Sequence, residues 1–269
     1  MKFAASNIAL PAYDHVSELR QMRQLGLEGI EIAPSRIWRD TWKDLSFDAV
    51  TLYRKQIEVA GLKTVGLHSL FFDHPKLGLF CSDEHHLETL EFMVHLSMVC
   101  RDLGGKTLIY GGGRKRGKIP EEEAYNRAID FFMTLCGRIQ EHGTCYCFEP
   151  LGLKKTDFIN TVSDSLRIVK TVSSPALRVQ LDAAALADNN EIVEQTFLDA
   201  RPYLVHVHAN EPNFEILGCS GKVNHTAIGS FLHSINYGGY VSIEQKMIGE
   251  NNPVRALAKS VAVLTQCYG

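Results

Sequence analysis

A short phrase recurs along the chain and constrains its fold more than any other feature. A helical pattern closes on Gly or Pro, and a run rich in Val, Ile, Leu and Tyr follows within a few residues. Glycine ends a helix because it accepts the left-handed conformation just past the cap. Apolar runs this short are typical of strands buried on both faces. With residues 2–5 added as the first strand, the strand segments are 26–32, 61–65, 104–110, 143–148, 175–181, 202–208 and 238–244.

Helical patterns separate these eight strands. The clearest follows Pro120, where three glutamates suit the positive end of a helix dipole and an apolar stripe comes after them. Strands that alternate with helices through short links predict a parallel sheet with right-handed crossovers, and eight such units close into a (β/α)8 TIM barrel. A doubly wound open sheet is the rival, but it would leave edge strands, and no Gly-x-Gly-x-x-Gly follows the first strand. We expect a single domain over residues 1–269, because such barrels reach roughly 250 residues undivided.

Charge and composition narrow the class of partner. The formal net charge of −3 gives no global attraction to nucleic acid or to an anionic membrane surface. No stretch is apolar for the roughly 18 residues that a membrane-spanning helix needs. The seven cysteines are scattered and form no Cys-x-x-Cys pair, which is typical of reduced thiols in a cytoplasm. We therefore expect a cytoplasmic protein with a small-molecule partner; association into a homo-oligomer is left open by the sequence.

Four polar residues end the last four strands. They are Glu149, Asp182, His208 and Glu244. In a barrel these positions meet at the functional face, where three buried carboxylates would repel one another unless a cation neutralised them. Oxygen donors with one imidazole suit Mn²⁺, Mg²⁺ or Co²⁺, and Zn²⁺ is also compatible. His206 shares a face with His208 but lies one layer deeper, so we expect His208 to be the ligand. Taken singly, each residue could be a helix cap or a packed core group; together, on consecutive strands, they favour a metal site.

Further polar residues fall on the same face. His68 closes the third strand and either contacts substrate or is satisfied within the barrel mouth. Glu211 could contact a polar group of a ligand or cap its own loop, and Lys246 follows the last strand. Arg114 and Arg116 belong to a loop of glycines and cations, residues 111–118, which either holds a phosphate or carboxylate or is a solvated loop tip. These residues are candidate substrate contacts.

The strand-end residues and their spacing resemble the sugar isomerase and epimerase group of xylose isomerase-like barrels, which includes ketose 3-epimerases and inosose-processing enzymes. The intervals between the four residues are 33, 26 and 36, close to the ketose 3-epimerase pattern. The resemblance covers essentially the whole chain. It implies that the four residues hold one divalent metal, that Glu149 and Glu244 act as base and acid, and that a proton moves next to a carbonyl through an enediolate. A small keto-sugar or polyol derivative is the implied substrate.

The chain also departs from that family. Three positions that hold the sugar in ketose 3-epimerases are here Lys155, Ala185 and Phe214. The substrate is therefore expected to differ, with Lys155 itself a candidate contact. Ala185 and the Tyr110-Gly111 pair lack the histidines that the DNA-repair AP endonucleases of this superfamily need for three zinc ions, which disfavours a nuclease.

Two alternatives stay open at this stage. A lyase would use the same metal and base to expel a substituent β to a ketone, as on 3-keto-glycosides. A sugar-binding protein without catalysis would show no metal-dependent proton exchange with any ligand.

Overall fold

The computed structural model describes residues 1–249 and 252–269, and within them eight parallel strands form a closed barrel in chain order. The strands are β1 Lys2–Ser6, β2 Gly29–Ile32, β3 Lys63–Leu67, β4 Thr107–Tyr110, β5 Cys145–Phe148, β6 Leu177–Asp182, β7 Leu204–Ala209 and β8 Tyr240–Ile243. Ala4 of β1 pairs with Ser242 of β8, which closes the sheet and leaves it without an edge. The predicted (β/α)8 architecture is confirmed, and the open doubly wound sheet is excluded.

Helices fill the connections and surround the barrel. They are α1 Val16–Gln24, α2 Phe47–Val59, α3 Asp83–Asp102, α4 Glu121–Ile139, α5 Val162–Val172, α6 Ala183–Asp188, α7 Glu194–Ala200, α8 His225–Ser234 and α9 Pro253–Tyr268. The helix predicted after Pro120 is α4, and its stripe is buried at Ala124, Ala128, Phe131, Leu135 and Ile139. This stripe packs with the outward side chains of the strands into one apolar layer between helices and barrel.

Several polar side chains lie inside the barrel, in contrast to that outer layer. Glu31 on β2 contacts His206 and His208 on β7, although β1 and β8 lie between those strands in the barrel order. The contact therefore crosses the interior. Because side chains alternate along a strand, Ile30 and Ile32 point outward to the helices while Glu31 points inward. Polar groups thus continue from the barrel centre toward the carboxyl ends of the strands.

The cysteines and the helices were also the subject of predictions from the sequence. The seven cysteines are free thiols, as predicted. Within the residues that the structure describes, no helix has both the length and the apolar character needed to cross a bilayer.

Candidate metal centre

The four predicted ligands converge at the carboxyl end of the barrel. Glu149 directly follows β5, Asp182 is the last residue of β6, His208 lies near the end of β7, and Glu244 directly follows β8. These strands are neighbours in the closed sheet, so their ends stand side by side. All four residues are buried. The barrel geometry brings together residues that are far apart in sequence, as the strand-end pattern predicts.

The Nδ1 atom of His208 is the centre of the cluster. It lies 3.5 Å from Oε1 of Glu149, 3.4 Å from Oε2 of Glu244 and 3.9 Å from Oδ2 of Asp182. Nδ1 is buried and makes no hydrogen bond within the part of the chain that the structure describes. A buried nitrogen without a partner is unfavourable unless something else binds it. Ligand atoms of Glu149, Asp182 and His208 lie close enough together to hold one metal ion.

The pKa shifts within the cluster also favour a bound cation. Burial, with the charge of Glu149 added, raises the pKa of Asp182 to about 7. Burial acts against protonation of His208, but the carboxylates of Glu31 and Glu244 raise its pKa well above the usual value. Burial acts to raise the pKa of Glu244, but His208 and His68 hold it below the usual range. The carboxylates therefore depend on a positive partner, and a divalent cation would supply that charge in place of protons.

Two amides that the sequence analysis missed hold the carboxylates in place. Nδ2 of Asn210 donates to Oδ2 of Asp182 at 2.6 Å and to Oε2 of Glu244 at 2.9 Å. Nε2 of Gln180 donates to Oε1 of Glu149 at 2.9 Å. The side chain of Asn210 is fixed in turn, because its Oδ1 accepts a hydrogen bond from the N–H of Ala184. Such supporting bonds orient metal ligands before the ion arrives.

The sequence analysis also missed Glu31, which lies deeper in the barrel and contacts the ring of His208. Its carboxylate lies 2.9 Å from Nε2 of His208 and 3.1 Å from Nε2 of His206. Burial acts to raise the pKa of Glu31, but the two histidines hold it well below the usual value. Ligand atoms of these three residues also lie within metal-binding range of one another. Glu31 and His206 are fully buried and do not line the pocket above the cluster, whereas Glu149, Asp182 and His208 do. A cation that enters from solvent therefore meets Glu149, Asp182 and His208 first.

His68 lies at the same level as the candidate ligands. Its Nδ1 is 3.3 Å from Oε1 of Glu244, and its Nε2 is 2.5 Å from Oγ of Ser6. The ring stands edge-on to the His208 ring, with centroids 5.7 Å apart. His68 also lines the pocket above the cluster, so it contacts both the carboxylate and the space that a substrate would fill.

That pocket has a volume of about 530 Å³ and contains all four candidate ligands together with Lys155 and Phe214. The Nζ of Lys155 lies over the ring of Phe214, 4.9 Å from its centroid. Burial acts to lower the pKa of Lys155, but the carboxylates of Asp182 and Glu149 raise it overall. Two of the three positions at which the chain departs from the ketose 3-epimerase pattern therefore contact each other inside the pocket.

The structure gives Arg114 a role different from the predicted anion contact. Its guanidinium is buried and donates to main-chain carbonyl oxygens of Tyr110, Gly111, Glu149, Phe158 and Ile159. All its donors are used within the protein, so none faces the pocket. Arg116 bonds to the carbonyls of Asp157 and Ile119 and likewise does not line the pocket. A run of charges in a glycine-rich loop indicates a segment that is exposed to solvent or binds a ligand. The burial of Arg114 could not be inferred from the sequence.

Glu211 and Lys246 also lie outside the pocket lining. Glu211 is buried and accepts hydrogen bonds from the N–H of Gly218, the hydroxyl of Ser220 and Nε2 of His225. This corresponds to the loop-capping alternative. The Nζ of Lys246 lies 2.6 Å from Oε1 of Glu215 in an exposed ion pair.

The fold and this constellation define the class: a closed (β/α)8 barrel with a cluster of metal-binding type at the carboxyl ends of its strands. Residues 19–267 match the family model described as xylose isomerase-like TIM barrel. The chain belongs to that family.

Curated relatives match over part of their length. The D-psicose 3-epimerase of Ruminiclostridium cellulolyticum is 25% identical over 126 residues, which is 47% of this chain and 43% of that protein. The 3-dehydro-D-guloside 4-epimerase of Escherichia coli is 29% identical over 125 residues, 46% of this chain and 47% of that protein. Each match thus spans less than half of the relative.

Solved structures match the fold over the full length. The D-psicose 3-epimerase of Clostridium cellulolyticum H10, solved with D-tagatose, superposes with a TM-score of 0.84 at 16% identity and covers 100% of this chain and 99% of its own. At that identity the likeness concerns the fold alone.

Proposed function

We propose that the protein is a divalent-metal-dependent isomerase or epimerase of a small keto-sugar or a related polyol derivative. One observation carries the proposal: Nδ1 of His208, which makes no hydrogen bond among the described residues, faces Glu149, Asp182 and Glu244 at the floor of a pocket. The partial matches to a psicose epimerase and a guloside epimerase support a carbonyl sugar as the substrate class.

Glu149, Asp182, His208 and Glu244 would hold the cation through three carboxylates and one imidazole. Mn²⁺, Mg²⁺ or Co²⁺ suits this donor set, and Zn²⁺ is also compatible. When bound, the cation would polarise a carbonyl and so acidify the adjacent C–H bond. The choice among these ions is open to metal analysis.

The two glutamates carry the proton transfers in this proposal. Glu149 and Glu244 lie on different sides of His208, and each has a partner that fixes one oxygen: Gln180 for Glu149 and His68 for Glu244. One carboxylate takes the proton from the carbon next to the carbonyl, and the other carboxyl delivers a proton, to the opposite face in an epimerisation. His68 holds Glu244 and faces the substrate, so it would position both.

Lys155 is the proposed substrate contact that distinguishes this pocket. Its ammonium lies over Phe214 in the pocket that the carboxylates also line, where it can donate to a sugar oxygen. The stacked Lys155–Phe214 pair stands at positions where ketose 3-epimerases carry sugar-holding residues of other types. The substrate is therefore proposed to differ from a free ketohexose in the part that faces Lys155.

The test combines metal analysis with proton exchange. The purified protein is loaded with Mn²⁺, assayed for bound metal and incubated in D2O with a panel of keto-sugars, while NMR follows deuterium at the carbon next to the carbonyl. We expect about one metal ion per chain and exchange that a chelator stops. Glu149→Gln and Glu244→Gln should each abolish exchange while keeping some metal. Undiminished exchange in both variants contradicts the assignment of these residues.

The products separate the remaining alternatives. An epimerase returns a sugar of the same composition with one inverted centre, whereas a lyase releases the substituent from a 3-keto-glycoside. A binding protein without catalysis shows no exchange with any member of the panel. Each outcome can be read from the same NMR series.

A further inference from the structure

The pocket above the candidate metal centre has an apolar side. Its wall consists of Phe71, Phe72, Pro75, Leu77, Leu151 and Phe214, which come from the connections after β3, β5 and β7. Among the described residues that line the pocket, the polar side chains outside the His68, Glu149, Asp182, His208 and Glu244 group are Ser69 and Lys155. The pocket is therefore divided into a charged floor and an apolar wall.

Contacts with the rest of the barrel keep this wall in place. The N–H of Leu79 donates to the carbonyl of Gly113 at 2.7 Å, which joins the connection after β3 to the one after β4. The ring of Phe71 stands edge-on to Tyr110, with centroids 5.9 Å apart. Gly113 has a positive φ of 71° and leaves room for Phe71, since a Cβ there would lie 3.0 Å from that ring. The wall is thus formed before any ligand arrives.

Phe72 extends the wall to the pocket mouth. Phe72 is 78% exposed, whereas Leu77 in the same wall is buried. An exposed aromatic ring next to a preformed pocket gains free energy when a ligand covers it, at about 25 cal/mol per Å² of apolar surface removed from water. A free sugar can stack the C–H face of its ring on one aromatic side chain, but hydroxyls turned toward the rest of this wall would lose water without gaining partners.

Pocket size agrees with a ligand larger than one sugar ring. The volume of about 530 Å³ lies within the range of roughly 300–1,000 Å³ that is typical of sites for drug-sized ligands. We infer that the substrate is a keto-sugar joined to an apolar group, as in a glycoside of a phenol. The sugar would lie over the carboxylates, and the apolar group would lie against Phe71, Phe72 and Leu151. The assignment of the keto-sugar part rests on the proposed function, whereas the assignment of the apolar group rests on the residues of the wall.

The test compares two ligands that differ only in the apolar group: the methyl and phenyl glycosides of 3-keto-glucose. Isothermal titration of the Mn²⁺-loaded protein gives their affinities, and deuterium incorporation gives kcat/KM. We expect the phenyl glycoside to bind about tenfold or more tightly. Phe72→Ala should weaken phenyl glycoside binding more than methyl glycoside binding. The matched control is Phe47→Ala, which removes another exposed ring, on α2 and outside this pocket, and should leave both affinities unchanged.

Ligand binding and deuterium exchange are measured separately, so failure of the apolar subsite can be distinguished from failure of the proposed isomerase or epimerase activity. Equal affinities for the two glycosides, unaffected by Phe72→Ala, overturn the inference even if both exchange deuterium. A phenyl preference that depends on Phe72, without exchange in either ligand, supports the apolar subsite and contradicts the isomerase or epimerase proposal. Loss of both preference and exchange contradicts both.

Discussion

Oε2 of Glu31 accepts a hydrogen bond from Nε2 of His208 at 2.9 Å, across the interior of the barrel. With the hydrogen on Nε2, the lone pair of a neutral imidazole lies on Nδ1, the atom that faces Glu149, Asp182 and Glu244. Glu31 thus selects the tautomer in which His208 can bind a cation. It does so without touching the pocket, which makes it a positioning residue.

Glu31→Gln should therefore weaken metal binding while the pocket stays intact. A glutamine keeps the shape but removes the charge that fixes the imidazole, and loss of such a supporting partner typically lowers metal affinity by about 10- to 100-fold. Titration with Mn²⁺ measures the dissociation constant directly. Glu28→Gln, an exposed change just before β2, is the control. Unchanged affinity in Glu31→Gln would show that His208 is oriented without this carboxylate.

A glycine pair after β4 offers a second test of the centre. A Cβ added at Gly111 would collide with Oε2 of Glu149, whereas a Cβ at Gly112 would meet nothing within 4 Å. Gly111→Ala must displace the Glu149 carboxylate, so we expect weaker Mn²⁺ binding and loss of deuterium exchange. Gly112→Ala changes the chain by the same methyl group without that collision and should retain both. Equal behaviour of the two variants would mean that the position of Glu149 is not critical.

The centre shows which parts of a site the sequence can predict. Glu149, Asp182, His208 and Glu244 could be found because each ends a strand, and parallel strands in a barrel end at one face. Glu31 left a weaker signal: a single acid at the inward position of an otherwise apolar strand, Gly-Ile-Glu-Ile. Its pairing with β7 depends on the closed barrel, because strands that are not neighbours meet only through the interior.

For Arg114, the sequence pattern did not predict the environment that the structure shows. The glycines and cations of residues 111–118 are typical of an exposed loop, and the sequence contains no sign that one guanidinium is buried among carbonyl groups. The partners are main-chain atoms, which every residue possesses, so no sequence pattern identifies them. The amide of Asn210 between two carboxylates became visible only with the fold, because its partners Asp182 and Glu244 are 28 and 34 residues away along the chain.

Arg114→Ala should act on stability. The guanidinium satisfies buried carbonyls of Tyr110, Glu149 and Phe158 among others, and a hydrogen bond to a charged group contributes about 1.5–3 kcal/mol. We expect the free energy of unfolding to fall by about 3 kcal/mol or more in urea titrations. Lys118→Ala, at an exposed position of the same loop, is the matched control with an expected effect within about 0.5 kcal/mol. A raised KM with unchanged stability in Arg114→Ala would instead favour a substrate contact.

His15 should make the protein less stable in mild acid. Its side chain is buried, with Nδ1 3.0 Å from the carbonyl of Pro11 and Nε2 2.5 Å from the hydroxyl of Tyr53. A neutral ring fits this pattern, with Nδ1–H donating to the carbonyl and Nε2 accepting from the hydroxyl. Burial lowers the pKa of His15 below the ordinary value of a histidine, despite the opposing bond to Pro11. In the unfolded chain the ring takes up a proton more readily, so its contribution to stability is complete above about pH 6.5 and is lost as the pH falls below that value.

Urea unfolding at pH 7.5 and pH 5.5 measures this contribution. The free energy of unfolding of the parent protein should fall between the two, and His15→Gln, which cannot titrate, should show a smaller fall despite a lower stability at pH 7.5. His233→Gln, at an exposed position on α8, is the control for removing a histidine as such. The same pH dependence in His15→Gln and in the parent would mean that other buried groups cause the acid sensitivity. A smaller dependence in His15→Gln alone would assign it to the neutral ring between Pro11 and Tyr53.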